Sequence, residues 1–455
     1  MVVGERDSYF HVTQVGSYPF YEGRPDGVTL FTTELARRLK EQKGCKVDFV
    51  SPKGKKPYAY VPGTKFFGKT VELRNDDTVR ESGYAISPWA PRQATEIFLE
   101  TRPDLVVYQE PLGGHIAHPF ISGAPRQENG DTLSAMIGQL HANRGDISMK
   151  AWLMKQLYKV GRPQYRNGWW TPGGNRTVIG ALDGIIAVSG ATRDFWKGQF
   201  PYMETPKVIY NGIDTDELTP DGPKLPQWDD GKKTIFFAGR HDPRKGIEYL
   251  LYAFSILREK REDIKLMISG DGQETENLKK LAQRLGIASD VTFLGNLDRN
   301  KPEADIDLVR AYRSADIFVS PALDGEGFGR TLAEAMSCGI PTIGSDIGGY
   351  REVIGNCWFT QMAEPANSFD LAEKIEAFLN LTDQQRSAIG NESASYVRRR
   401  FSWDIIATEI MKYYLECTQK HGNMLLNSDW EKAEEEYRTR RRFPRAGDIF
   451  RGRRK

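Results

Sequence analysis

The chain has few of the residues from which metal centres and disulfide scaffolds are built. It has only four cysteines in 455 residues (Cys45, Cys338, Cys357 and Cys417), and none of them stands in a C-x-x-C spacing. This usage argues against a zinc site and suits a reducing compartment. No apolar run reaches the roughly 18 residues that a transmembrane helix needs.

Strong net charge and a targeting segment are also missing. The formal net charge is +2, too small by itself to indicate a nucleic-acid partner. The first seven residues lack the basic and apolar regions of a signal peptide. We therefore expect a cytoplasmic protein with no specific nucleic-acid partner.

Apolar runs typical of buried β-strands alternate with helical stretches in two series. Nearly continuous apolar strands separated by helices predict parallel sheets covered on both faces, so we expect two doubly wound α/β domains facing a cleft. The Pro/Gly-rich stretch 219–226 marks the boundary, giving domains 1–218 and 219–401 and a basic tail at 431–455. The predicted strands are residues 10–15, 47–50, 105–108, 135–140 and 184–188, then 234–238, 264–268, 291–294, 316–319 and 341–344.

The segment 324–336 carries the most chemical information. A predicted strand leads into a Gly-rich turn that contains Glu326, and Glu334 follows eight positions later in a predicted helix. The first N–H groups of a helix are unpaired and attract anions such as phosphate. Two carboxylates on either side of a bound diphosphate would suit the hydroxyls of a nucleotide sugar.

This pattern, E-G-F-G-x-x-x-x-E-A-M, resembles the retaining glycosyltransferases of family 4, which have the two-domain GT-B fold. The resemblance covers roughly residues 8–415. It implies that the helix after the F-S-W run at 401–403 crosses back, so that about 402–430 complete the N-terminal domain. Within the family, the runs 243–246 and 110–111 and two cationic aromatic stretches are most similar to phosphatidylinositol mannosyltransferases.

The resemblance implies four catalytic residues and no metal or other cofactor. Arg240 and Lys245 would stabilise the departing diphosphate, Glu326 would bind the hydroxyls of the sugar, and His141 would contact the sugar near its reactive carbon. Other interpretations stay open for single residues: a solvated basic turn, an exposed helix carboxylate at Glu334, and a structural role for His141.

The same resemblance implies contacts to the donor and to the acceptor. Glu334 would bind the ribose, and the N–H groups of Phe328 and Gly329 would face the pyrophosphate. On the acceptor side it indicates Tyr18 and Glu110. Where relatives carry Gly-Gly-Val before the first helix, this chain has Asp26 in place of the first glycine and keeps Gly27. The implied donor-binding residues are Gly27, Gly239, Gly270, Gly327, Phe328, Gly329, Arg330, Thr331 and Glu334.

Lysines, arginines and aromatic residues in segments 51–70 and 438–455 suit an anionic membrane surface, although a basic tail can equally be a solubilising segment. We expect a retaining transferase that moves a hexose to a hydroxyl of a lipid-linked or glycan acceptor, with mannose from GDP-mannose as the first candidate. Such an enzyme would be cytoplasmic or peripheral at the inner membrane face. The alternatives are a transferase that uses UDP-glucose or UDP-N-acetylglucosamine with a soluble acceptor, and a non-catalytic nucleotide-sugar-binding subunit.

Overall fold

A computed structural model describes most of the C-terminal half of the chain and the central elements of the N-terminal half. The described ranges are residues 10–15, 27–43, 45–52, 64–65, 71–75, 79–86, 104–109, 134–140, 179, 182–297, 307–355 and 357–420, together with Lys432 and Glu435.

The N-terminal half forms a sheet of nine strands within these ranges, in the order β3-β5-β2-β1-β6-β7-β8-β9, with β4 antiparallel to β5 at one end and the other pairs parallel. Its centre is apolar: the side chains of Leu105, Val106 and Val107 are fully buried, as expected for strands covered on both faces. The strands are β1 (His11–Val15), β2 (Lys46–Pro52), β3 (Thr64–Lys65), β4 (Val71–Asn75), β5 (Val79–Ile86), β6 (Leu105–Gln109), β7 (Ala135–Leu140), β8 (Gly184–Ala187) and β9 (Lys207–Val208). The helices are α1 (Gly27–Lys43) and α2 (Gly190–Gln199).

In the described part of the C-terminal half, six parallel strands form a sheet in the order β12-β11-β10-β13-β14-β15. The strands are β10 (Lys233–Ala238), β11 (Ile264–Ser269), β12 (Val291–Gly295), β13 (Ile317–Ser320), β14 (Thr342–Ser345) and β15 (Thr360–Ala363). The helices are α3 (Ile247–Arg258), α4 (Thr275–Arg284), α5 (Leu308–Ser314), α6 (Arg330–Ser337), α7 (Gly348–Ile354), α8 (Ser368–Leu379), α9 (Asp383–Phe401) and α10 (Trp403–Lys420).

The last described helix returns to the N-terminal sheet. The amide of Ile213 donates to Phe401 O (2.7 Å), and the amide of Trp403 donates to Ile213 O (3.2 Å), so the two connections between the halves run side by side. The Trp403 ring then packs on Phe31 of α1, with ring centroids 5.2 Å apart. The predicted two-sheet fold and the return of the C-terminal helix are confirmed.

Each of the ten predicted strands corresponds to an observed one, but β3, β4, β5, β9 and β15 were not predicted. Two of these have only two residues each, and β5 carries Arg80, Glu81, Ser82 and Gly83 in its middle. The domain boundaries stay predictions. Nearly all of the tail, and most of segment 51–70, lie outside the described residues. Within the described part, no helix has the length and apolarity needed to span a membrane.

Candidate active site

The candidate site lies where the order of the C-terminal sheet reverses. Strands β10 and β13 are parallel neighbours, with Phe236 opposite Phe318, and the sheet continues in opposite directions from them. Loops that leave such a switch point diverge and open a crevice at the carboxyl ends of the strands. The basic turn (residues 239–246) follows β10, and the acidic turn (residues 325–329) follows β13. Both predicted groups of site residues therefore leave the same edge of the sheet.

Lys245 and Glu326 form an ion pair between the two turns. The Lys245 Nζ atom lies 2.6 Å from Glu326 Oε1, and their side chains are 23% and 21% exposed. The amide of Leu323 donates to Arg244 O over 2.7 Å, which ties the backbones of the two loops together. An ammonium group has three donors, so Lys245 can keep Glu326 and still contact a ligand.

The acidic turn is held in place by the Phe328 side chain. This ring is 2% exposed and packs against Tyr210 at 5.9 Å and Phe401 at 5.3 Å between ring centroids. Helix α6 begins directly after Gly329, whose backbone is left-handed (φ +98°) and supplies no side-chain cap. No side chain therefore caps the start of this helix, the end of a helix that attracts anions.

Glu334 lies one turn into α6 and is buried, with 5% of its surface exposed. Its Oε1 accepts from the Arg330 guanidinium at 3.2 Å, and its Oε2 accepts from the Tyr312 hydroxyl at 3.1 Å. The interpretation of Glu334 as an exposed helix carboxylate is wrong. Its predicted ribose contact stays a prediction, and no sequence pattern indicates the Tyr312 hydrogen bond.

Gly270 brings the loop after β11 into direct contact with the basic turn. Its backbone has φ +125°, and a Cβ atom at this position would overlap the carbonyl oxygen of Gly239. Only glycine allows this approach without strain. The carboxyl ends of β10 and β11 thus close on each other beside the crevice.

His241 was not predicted as a site residue, although it connects these two loops. Its side chain is fully buried, and its Nδ1 lies 2.8 Å from the Thr275 hydroxyl. Its backbone amide donates to Asp271 O over 3.1 Å, and its own carbonyl accepts from the Glu274 amide. Burial lowers the pKa of the His241 imidazole, against the opposing effect of the Asp271 carboxylate.

Arg240 and Arg244 have different environments within the basic turn. Arg240 is exposed at the end of β10. The Arg244 guanidinium donates to Asp242 (3.1 Å) and is the main cause that lowers the pKa of the Asp242 carboxyl. The exposure of Arg240 fits both interpretations, a solvated basic turn and a side chain that binds a ligand.

Three predicted site residues lie outside the described residues: His141, Tyr18 and Glu110. Gly27 is the first residue of α1, and Thr331 lies partly buried in the first turn of α6. The described residues include no group of three or more His, Cys, Asp and Glu side chains placed to hold a metal ion. The catalytic and binding roles of all the predicted site residues stay predictions.

Two glycosyltransferase family models match consecutive parts of the chain. "Glycosyltransferase Family 4" matches residues 25–217, and "Glycosyl transferases group 1" matches residues 223–395. The chain belongs to glycosyltransferase family 4. The first match covers most of the N-terminal sheet, and the second covers the candidate site.

Mannosyltransferases are among the curated relatives of this family 4 chain. It is 34% identical over 235 residues to the phosphatidyl-myo-inositol mannosyltransferase of Mycobacterium leprae, a match that covers 51% of this chain and 58% of that protein. It is 27% identical over 249 residues to a GDP-mannose-dependent alpha-(1-6)-phosphatidylinositol monomannoside mannosyltransferase of Mycobacterium tuberculosis, covering 52% and 63%. The chain thus matches less than two thirds of the length of these relatives.

Solved structures with the GT-B fold align with nearly the whole chain. Sucrose-phosphate synthase from Thermosynechococcus elongatus gives a TM-score of 0.66 at 18% identity, covering 90% of this chain and 98% of that one. HepE of Anabaena, solved in complex with UDP-glucose, gives 0.62 at 18% identity, covering 90% and 100%. At such identities the likeness establishes the fold alone.

Proposed function

We propose that the chain is a retaining, metal-independent glycosyltransferase that moves a hexose from a nucleotide sugar to a hydroxyl group. The observation that carries the proposal is the Lys245–Glu326 ion pair at the switch point of the C-terminal sheet, 2.6 Å between Nζ and Oε1. The pair places a cation that can bind a diphosphate next to a carboxylate that can bind sugar hydroxyls. The acidic turn then leads directly into the N-terminus of α6, a second source of positive potential for the diphosphate.

In the proposed reaction, the bond between the anomeric carbon and the diphosphate oxygen breaks. The acceptor oxygen forms a bond to that carbon on the same face, and its proton passes to the leaving diphosphate. Negative charge grows on the diphosphate during this step, so Arg240 and Lys245 stabilise the transition state more than the ground state. Glu326 orients both the sugar and the Lys245 ammonium.

GDP-mannose and a lipid-linked acceptor are our first candidates for the substrates. The curated mannosyltransferases named above support this choice, and so do the basic segments 51–70 and 438–455, which we propose to rest on anionic lipid. UDP-glucose with a soluble acceptor is the second candidate, because the HepE structure contains that donor.

The test is nucleotide release from GDP-mannose, UDP-glucose and UDP-N-acetylglucosamine, with and without membrane lipid, in the presence of EDTA. We expect release from GDP-mannose that increases with lipid and persists in EDTA. Release from a UDP-sugar without lipid dependence would support the second candidate. Loss of all release in EDTA would contradict metal independence, and binding of every donor without release under any condition would favour a non-catalytic subunit.

The matched variants are Arg240→Ala and Arg244→Ala in the same turn. Arg240→Ala should lower kcat by about 10²- to 10³-fold, since it removes a donor aimed at developing charge. Arg244→Ala removes an equal charge that pairs with Asp242 and should change kcat little. Equal effects of the two substitutions would refute the role of Arg240.

A further inference from the structure

A single carboxylate of the C-terminal half holds the N-terminus of a helix in the other half. Glu352 on α7 accepts from two backbone N–H groups at the start of α2: its Oε2 lies 2.8 Å from Gly190 N, and its Oε1 lies 2.8 Å from Ala191 N. Helix N-termini carry unpaired N–H groups and partial positive charge, so both carboxylate oxygens of Glu352 have a suitable donor. This contact joins residues more than 160 positions apart.

Other polar groups of the N-terminal half gather around the same carboxylate. The Glu352 charge helps to raise the pKa of Tyr210, after burial as the larger cause. The pKa of Arg193 is raised mainly by its hydrogen bond to Asp194, with a smaller contribution from Glu352. Tyr210 in turn packs on Phe328 of the acidic turn. Glu352 therefore interacts with Tyr210 as well as with the N-terminus of α2.

The two helices joined by Glu352 also contact the backbone of the acidic turn. Gly349 of α7 lies so close to this turn that a Cβ atom would come within 2.5 Å of the carbonyl oxygens of Glu326 and Gly327. From α2, the Thr192 hydroxyl donates to Gly327 O at 3.4 Å. Helices α2 and α7 thus both contact the backbone that carries Glu326.

We infer that Glu352 is a positioning residue, which fixes the N-terminal half against the acidic turn so that Glu326 keeps its place relative to the acceptor side. This inference rests on the proposed function. Glu352 contacts no substrate in this account and acts through the α2 N-terminus. Because a shift of about 1 Å in a reacting group can cost about 100-fold in rate, loss of the contact should appear in turnover.

The first measurement is hydrogen exchange of the backbone amides at residues 190–191 in the full chain, which needs no substrate. Glu352→Ala should speed exchange at these two amides about tenfold or more, because a charged acceptor is lost. Glu352→Gln should speed exchange less, since the single oxygen of the glutamine amide can still accept from one of the two N–H groups. Glu373→Ala, which removes an exposed carboxylate of α8, should leave exchange at residues 190–191 unchanged.

The second measurement is transfer kinetics with the donor that the wild-type chain uses. Glu352→Ala should lower kcat by about ten- to 100-fold and leave the Kd for the free nucleoside diphosphate within about threefold, since all the predicted donor-binding residues except Gly27 lie in the C-terminal half. Unchanged exchange in Glu352→Ala would overturn the contact, and faster exchange with wild-type kcat would overturn the positioning role. If the wild-type chain transfers no sugar, the proposed function fails while the exchange experiment still tests the contact.

Discussion

His241 should make the stability of this protein depend on pH in a way that one substitution removes. The Thr275 Oγ1 atom lies 2.8 Å from His241 Nδ1, 2.8 Å from Asp271 Oδ1 and 3.0 Å from the Gly272 amide. A carboxylate is the strongest acceptor of this group, so the single hydroxyl proton goes to Asp271. The Thr275 oxygen then accepts from the imidazole, and Nδ1 carries the hydrogen.

This assignment leaves His241 Nε2 as a bare acceptor. The atom is buried and has no hydrogen-bond partner among the described residues. Protonation would place an N–H group and a positive charge there, and burial opposes this more than the Asp271 charge and a backbone hydrogen bond at Ser269 favour it. Lys279 adds a small effect in the same direction as burial.

The sign of the pH dependence follows from the lowered pKa. In the unfolded chain His241 titrates near pH 6.5, and in the folded chain it titrates lower, so between these values the unfolded state binds more protons. The free energy of unfolding is therefore highest above about pH 6.5 and falls as the pH falls towards the folded pKa. One proton changes it by at most about 1.4 kcal/mol per pH unit in that window.

The assay is urea unfolding of the wild type, His241→Asn and His241→Leu between pH 5 and pH 8. Asparagine retains a donor near the Nδ1 position and cannot titrate, whereas leucine also loses the hydrogen bond to Thr275, which costs about 1 kcal/mol. Both variants should be less stable than the wild type at pH 8, and the gap should narrow towards pH 5. Parallel curves for wild type and His241→Asn across this range would contradict the lowered pKa of His241 in the folded chain.

Two further substitutions test the packing. Gly270→Ala should lower the free energy of unfolding by about 3 kcal/mol, because the backbone is left-handed and the new Cβ overlaps Gly239 O. The control Gly286→Ala, at φ +70° with open space around it, should lower it by only about 1 kcal/mol. Urea unfolding that ranked the two substitutions in reverse would contradict this prediction. Trp403→Ala should cost about 3–5 kcal/mol in the same assay, because the indole is 4% exposed against Phe31, and a loss below about 1 kcal/mol would show that α10 does not depend on this contact.

Sequence alone predicted the centres of both sheets because most residues of their strands are apolar. β10 reads KTIFFA and β11 reads IKLMIS, and nearly all of these side chains are buried. Strands that were not predicted lack this signal: β15 reads TQMA with two half-buried positions, and β4 pairs with the polar middle of β5. At an edge the neighbouring backbone decides the strand more than the side chains do.

The basic and acidic turns could be predicted for a different reason. Their residues lie within short segments that follow β10 and β13, and the sheet rule alone brings the carboxyl ends of those strands together. The Lys245–Glu326 ion pair itself is visible only in the structure. Glu352 and His241 belong to no such local pattern. Glu352 contacts the amides of Gly190 and Ala191, and His241 contacts the hydroxyl of Thr275; both partners are distant in sequence.

Glu334 shows what the structure adds to a motif that the sequence indicates. A buried carboxylate needs hydrogen-bond donors in the folded chain before any ligand arrives, and Arg330 and Tyr312 supply them. Under the proposed function, ribose hydroxyls that reach Glu334 would compete with Arg330 at Oε1. Arg330 is the first residue of α6, where a diphosphate would bind, so the group displaced from Glu334 by the ribose would be available to the phosphate. Because Arg330 and Glu334 are four residues apart on one helix, Glu334 can either pair with Arg330 or bind a ribose. The sequence pattern is the same in both cases, so by itself it could not distinguish a ligand-binding carboxylate from a structural one.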